Sequence, residues 1–81
     1  MWFVYLVRCA DNSLYTGITT DVQRRIEEHN GNNKTGSKYT RVKRPVIVVY
    51  KEQAPTRSEA LKRERKIKRM SHKEKENLAA V

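Results

Sequence analysis

A single cysteine in 81 residues, Cys9, excludes an internal disulfide framework and any cysteine-based zinc cluster. No apolar run approaches the length of a membrane span. The N-terminus lacks the charged region and apolar stretch of a signal peptide, so a cytoplasmic location is expected. Internal repeats, a glycine-rich phosphate loop, a His-x-Glu deaminase pattern and a Ser-His-Asp spacing are all missing, which sets aside the enzyme classes built on them. Acids are scarce beside bases: 9 against 18, giving a net charge of +9 and an isoelectric point near 10.1. Such an excess points to a polyanionic partner, since clustered Lys and Arg gain affinity by releasing phosphate counterions. An acidic membrane surface is the rival explanation. With 37% hydrophobic and 33% charged residues, the chain has the composition of one folded domain over residues 1–81, with one small core.

What is present begins with Trp2-Phe3-Val4-Tyr5-Leu6-Val7, an aromatic and β-branched run that reads as a strand. After the turn-like Asp11-Asn12-Ser13 comes a second short run, Leu14-Tyr15-Thr16-Gly17-Ile18. A turn around Cys9 to Asn12 sets Tyr5 opposite or diagonal to Tyr15, on one patch of sheet. Gly17 inside a strand marks close approach of backbone or ligand. Two core tyrosines in a hairpin is the plainer account of the same pattern, and Cys9 reads as a small core or turn residue.

Thr20 with Gln23 fits a capping box for a first helix, Asp21 suits its positive end, and Asn30-Gly31 stops it. At about 100° per residue, Val22 and Ile26 define the buried stripe with His29 between them and Arg25 on one edge. Arg24, Glu27 and Glu28 point the other way. Arg25 therefore leans toward the sheet, where its guanidinium suits a phosphate or pairs with a nearby carboxylate. Residues 31–44 carry Lys34, Lys38, Arg41, Lys43 and Arg44 with no acid, and Tyr39 is the one aromatic among them. A basic loop with an embedded aromatic suits a nucleic-acid backbone.

Pro45 opens the next element, and Val46-Ile47-Val48-Val49-Tyr50 is apolar on both faces, as expected of a central strand covered on both sides. A second helix is expected from about Arg57 to Met70, capped by Thr56 with Glu59. Its wheel buries Ala60, Leu61 and Ile67 and places Glu64 among them, with Lys62, Arg63 and Lys66 on the polar face. A carboxylate on an apolar stripe is paired, for instance with Arg25, or it holds a metal. One magnesium ion needs only one or two protein carboxylates. Ser71 and Glu74 cap a short third helix that packs as a lid through Leu78, Ala79 and Val81, with His72 facing solvent.

The triplets Val4-Tyr5-Leu6 and Tyr15-Thr16-Gly17, separated by eight residues, are similar to the GIY-YIG motif. Arg25 four residues before His29, and Glu64 on the second helix, extend the likeness along nearly the whole chain. Together they resemble the GIY-YIG nuclease domain, above all the small stand-alone bacterial proteins. Ser58 to Glu64 also resembles the glutamate-bearing helix of the bacterial excision-repair incision subunit. The resemblance implies an α+β fold, a three-stranded antiparallel sheet flanked by helices in the order β-β-α-β-α-α. It also implies an endonuclease hydrolysing phosphodiester bonds, with DNA favoured over RNA, in repair or recombination. Glu64 would hold one Mg2+ or Mn2+ ion, Arg25 would stabilise the phosphoryl oxygens, and Tyr5 or Tyr15 would take the proton of the attacking water. His29 would orient that water, and Asn77 is a possible counterpart of a late asparagine in the family. Gly17, Lys34, Lys38, Tyr39, Arg41, Lys43 and Arg44 are the expected nucleic-acid contacts. The alternative is a weak or inactive nucleic-acid-binding module, with a protein partner supplying specificity.

Overall fold

The computed structural model describes residues 1–31 and 44–80. Strand β1 (Trp2–Arg8) and strand β2 (Leu14–Thr19) form the expected hairpin. Its tip closes through Asn12 N–H to the Cys9 carbonyl at 2.9 Å and Cys9 N–H to the Ser13 carbonyl at 2.9 Å. Asn12 takes φ 72°, a left-handed conformation that asparagine tolerates better than most residues. Asp11 fixes the turn by accepting from both the backbone N–H and the hydroxyl of Ser13.

Helix α1 (Val22–Gly31) follows, then strand β3 (Ile47–Ala54), helix α2 (Arg57–Lys68) and helix α3 (His72–Ala79). The order β-β-α-β-α-α and the antiparallel three-stranded sheet are those expected. The cap of α1 is not Thr20 with Gln23. Asp21 accepts from the N–H of Arg24 at 3.1 Å, because a carboxylate directly before Val22 reaches the third N–H of the helix, and Thr19 Oγ1 in turn accepts from Asp21 N–H. Thr56 accepts from Glu59 N–H at 3.2 Å as expected, and Ser71 with Glu74 forms a complete capping box.

The sheet runs β2-β1-β3, so the central strand is β1 and the apolar third strand lies at an edge. Ile47 and Val48 are accordingly 60% and 42% exposed. Pairing explains the correction. A run apolar on both faces suits a central strand, but β1 is equally apolar and takes that place, holding Val4, Tyr5, Leu6 and Val7 fully buried. A shift in register between Leu6 and Val7 lets β3 twist past this run.

Because strand side chains alternate, β1 divides two small cores. Val4 and Leu6 pack with Leu14, Ala54, Ala60 and Ile67 beneath α2. Tyr5, Val7 and Cys9 pack with Val46 and Ile26 beneath α1. Each fully buried aliphatic side chain here contributes about 1.5–3 kcal/mol. The second core is the thinner one, and it is the one that carries the tyrosines.

Helix α3 is tied to the hairpin by Arg8, whose guanidinium donates to both oxygens of Glu76 at 2.6 and 2.8 Å and to Asn12 at 2.9 Å. His72, largely exposed, meets the same carboxylate at 3.0 Å. The Arg8 hydrogen bonds hold the Glu76 carboxyl at about 2, well below the usual carboxylate range. The folded chain thus resists protonation at Glu76 more than the unfolded chain does. Stability from this pair is present above about pH 4.5 and is lost as the pH falls toward 2. We expect thermal melts to show this loss in the wild type and not in Glu76→Gln; parallel pH dependences in the two proteins would contradict the assignment.

Candidate active site

The hairpin register places Tyr5 opposite Gly17 and Val7 opposite Tyr15, so the two tyrosines are diagonal neighbours on one face of the sheet. The Tyr5 ring lies directly over Gly17. A Cβ at that position would stand 2.6 Å from Tyr5 Cζ, far inside van der Waals contact. The close approach inferred from the glycine is therefore that of the Tyr5 ring. Leaning across β2, the ring sends its hydroxyl to His29 of α1, with Oη 3.0 Å from Nε2.

Both partners are 1% exposed. Burial pushes the Tyr5 hydroxyl up to about 12, with the nearby Glu64 carboxylate adding to the rise and Arg25 opposing it by a hydrogen bond. Burial, helped by the positive charge of Arg25, brings His29 down to about 4. At neutral pH the pair is thus a neutral phenol and a neutral imidazole. With the imidazole proton on Nδ1, the Tyr5 hydroxyl donates to Nε2. Tyr15 packs against the same imidazole edge-on, with ring centroids 5.8 Å apart.

Arg24 is exposed and Arg25 half-buried, as the helical wheel separates them. Arg25 donates to Glu28 at 3.1 Å. The wheel turned Glu28 outward, yet the pair is bridged by the long arginine side chain at an i, i+3 spacing, a signal the sequence does carry. Glu64 is half-buried, its side chain 18% exposed, and its ion-pair partner is Lys68 at 3.5 Å instead of Arg25. One helical turn within α2 brings those two charges together without any tertiary contact. The site therefore gathers Tyr5, Tyr15, Arg25, His29 and Glu64 from β1, β2, α1 and α2.

Sequence reasoning missed Asn30. Its side chain brackets Val46, accepting from the backbone N–H at 2.7 Å and donating to the carbonyl at 3.0 Å. This clamp fastens the end of α1 to the entry of β3 and so fixes the helix that carries Arg25 and His29. The expected contacts Lys34, Lys38, Tyr39, Arg41 and Lys43 lie outside the described residues, as does Val81. Arg44 is half-buried just before β3, and Asn77 is exposed on α3.

Among the described residues no three His, Cys, Asp or Glu side chains converge, so no closed zinc-type cage is assembled there. One half-buried carboxylate whose charge reaches a buried phenol fits a hard divalent ion that keeps most of its waters, and Glu64 is the residue that could hold it.

Residues 1–77 match the GIY-YIG catalytic domain. The chain belongs to the GIY-YIG family. Its relatives include a UPF0213 protein of Desulfotalea psychrophila, 57% identical over 77 residues, covering 95% of this chain and 69% of the relative. A UPF0213 protein of Staphylococcus haemolyticus is 51% identical over 73 residues, covering 90% of this chain and 87% of the relative. The solution NMR structure of a UPF0213 protein from Bacillus halodurans superposes with a TM-score of 0.60 at 41% identity, covering 99% of this chain and 84% of that one. A second NMR structure, from E. faecalis, gives a TM-score of 0.61 at 45% identity, covering 93% and 78%. GIY-YIG membership implies nuclease activity, with nucleic acid as what the domain acts on. No helix among the described residues is long and apolar enough to cross a membrane.

Proposed function

We propose that this GIY-YIG domain is a divalent-metal-dependent endonuclease, hydrolysing phosphodiester bonds with DNA as its favoured substrate. The observation that carries the reading is the Tyr5–His29 hydrogen bond, with the charges of Arg25 and Glu64 both acting on Tyr5. A single magnesium or manganese ion on Glu64 would supply charge neutralisation at the phosphate and a lowered pKa for its bound water. The remaining chemistry belongs to the chain. Arg25 exchanges Glu28 for a substrate phosphate and stabilises the charge that grows on the phosphoryl oxygens. Tyr5 takes a proton from the attacking water while its own hydroxyl proton passes to Nε2 of His29. The water oxygen bonds to phosphorus, the bond to the leaving sugar oxygen breaks, and that oxygen takes a proton from solvent. His29 is well placed for this acceptor role because it is neutral at the working pH. Tyr15, edge-on to the imidazole, keeps the ring in the plane that faces Tyr5.

The second reading, a nucleic-acid-binding module of weak or absent activity that depends on a partner, draws on a different observation. Arg25 and Glu64 are each engaged internally, with Glu28 and Lys68.

A cleavage assay on single-stranded, duplex, flap and branched substrates, run with magnesium, manganese or EDTA, separates the two. The nuclease reading expects cleavage that EDTA abolishes. It also expects Arg25→Ala to lower the rate by about a hundredfold, as removal of one charge-stabilising donor does, with Arg24→Ala close to wild type. Salt-sensitive binding without cleavage under any condition would favour the module, and equal losses in the two arginine variants would undo the phosphate role of Arg25.

A further inference from the structure

Five cations of the described residues are matched with acids: Arg8 with Glu76, Arg25 with Glu28, Lys62 with Glu59, Arg63 with Glu52 and Lys68 with Glu64. Other cations of the described residues have no ion pair, and three of them cluster at the C-terminal end of α2 and its cap, Arg69. Arg65, Lys66 and Arg69 are all exposed, and among the described residues no acid pairs with any of them. Their helical neighbours are cations as well, with Arg69 four residues after Arg65 and Lys66 four residues after Lys62. Like charges at that spacing weaken a helix. The negative end of the helix dipole offsets part of this repulsion, but it amounts to only about half an elementary charge. A polyanion laid along the face would remove the repulsion altogether.

Position on the helix identifies the occupant. At about 100° per residue, Lys68, Arg65 and Arg69 follow Glu64 round the helix at about 40°, 100° and 140°. The buried residues Ala60 and Ile67 lie on the other side of Glu64. The charged surface therefore begins at the carboxylate of the candidate active site and spreads away from the core. Arg65 and Arg69 are separated by a rise of about 6 Å along the axis, comparable with the step between successive phosphates of one strand.

We propose that Arg65, Lys66 and Arg69 form a backbone-binding track for nucleic acid, carrying the strand away from the site at Glu64. The track rests on the nucleic-acid reading above and extends it to the surface of α2. It engages phosphates, so it sets position and affinity without reading base sequence.

The test uses the full chain and a short fluorescein-labelled DNA duplex, with affinity followed by anisotropy across a salt series. Replacing all three by glutamine (Arg65→Gln, Lys66→Gln, Arg69→Gln) is expected to flatten the dependence of log K on log salt by about 2–3 units, at about 0.9 for each phosphate that is no longer neutralised. The charge-preserving set Arg65→Lys, Lys66→Arg, Arg69→Lys is expected to keep the wild-type slope, which separates removal of charge from damage to the fold. A wild-type slope in the glutamine variant overturns the track while leaving the nucleic-acid reading in place. Wild-type protein that ignores the duplex overturns both, and so does binding to phosphatidylserine vesicles in its stead.

Discussion

Glu64→Gln is expected to lower divalent-dependent cleavage by about a thousandfold while leaving duplex binding intact. Glutamine keeps the size of the side chain but loses the charge that a hard cation requires. Several kcal/mol of charge stabilisation at the phosphate go with it, and about 4 kcal/mol corresponds to three powers of ten in rate. The fold has little at stake, because the Lys68 partnership is an i, i+4 pair on a helix surface, a class of interaction that contributes about 0.3–0.5 kcal/mol. Binding has still less at stake, since Lys68 is released to face the phosphates. Cleavage and binding measured on the same preparation therefore separate two roles for the carboxylate. If the variant loses binding and melts early, Glu64 is a structural residue; if it cleaves like wild type, the ion is held elsewhere.

What could be read ahead of the structure were the features with local causes. The continuous aromatic and β-branched run Trp2 to Val7 and the turn residues that follow specify the hairpin, and through it the diagonal meeting of Tyr5 and Tyr15. Helical periodicity separates Arg24 from Arg25 because successive residues differ by about 100° in direction. Some features that escaped are local, such as the Asp21 cap of α1, and the others depend on packing between distant segments. Whether β1 or β3 lies at the centre of the sheet cannot be told from two equally apolar runs; it is decided by which partner each strand finds. The Asn30 clamp on Val46 spans sixteen positions and looks, in sequence, like an ordinary helix stop. Gly17 shows a third kind of gap: its residue type announces a close approach, and only the packing reveals that the approaching group is the Tyr5 ring.

That packing makes Tyr5 the residue on which the chemistry turns. Tyr5→Phe is expected to cost about a thousandfold in kcat/KM, within the range for removal of a general base, and Tyr15→Phe markedly less, because the Tyr5 hydroxyl is the one bonded to His29. Gly17→Ala tests the same placement without touching a reacting group. Its methyl requires the Tyr5 ring to shift, and a displacement of about 1 Å costs on the order of a hundredfold. The pH profile supplies an independent reading. Because His29 is held at about 4, the acid limb of kcat/KM, which reports the free enzyme, should lie near pH 4 and not near the 6.5 of an exposed imidazole. Linkage carries the same sign into stability. The unfolded chain binds a proton at His29 near pH 6.5 and the folded chain only near 4, so stability is full above 6.5 and declines as the pH falls through that window. Glu76 adds its own decline below about 4.5, and the two contributions are resolved by the Glu76→Gln melt. Equal losses in Tyr5→Phe and Tyr15→Phe, together with an acid limb near 6.5, would leave the buried hydrogen bond as a feature of the fold and send the search for the base elsewhere.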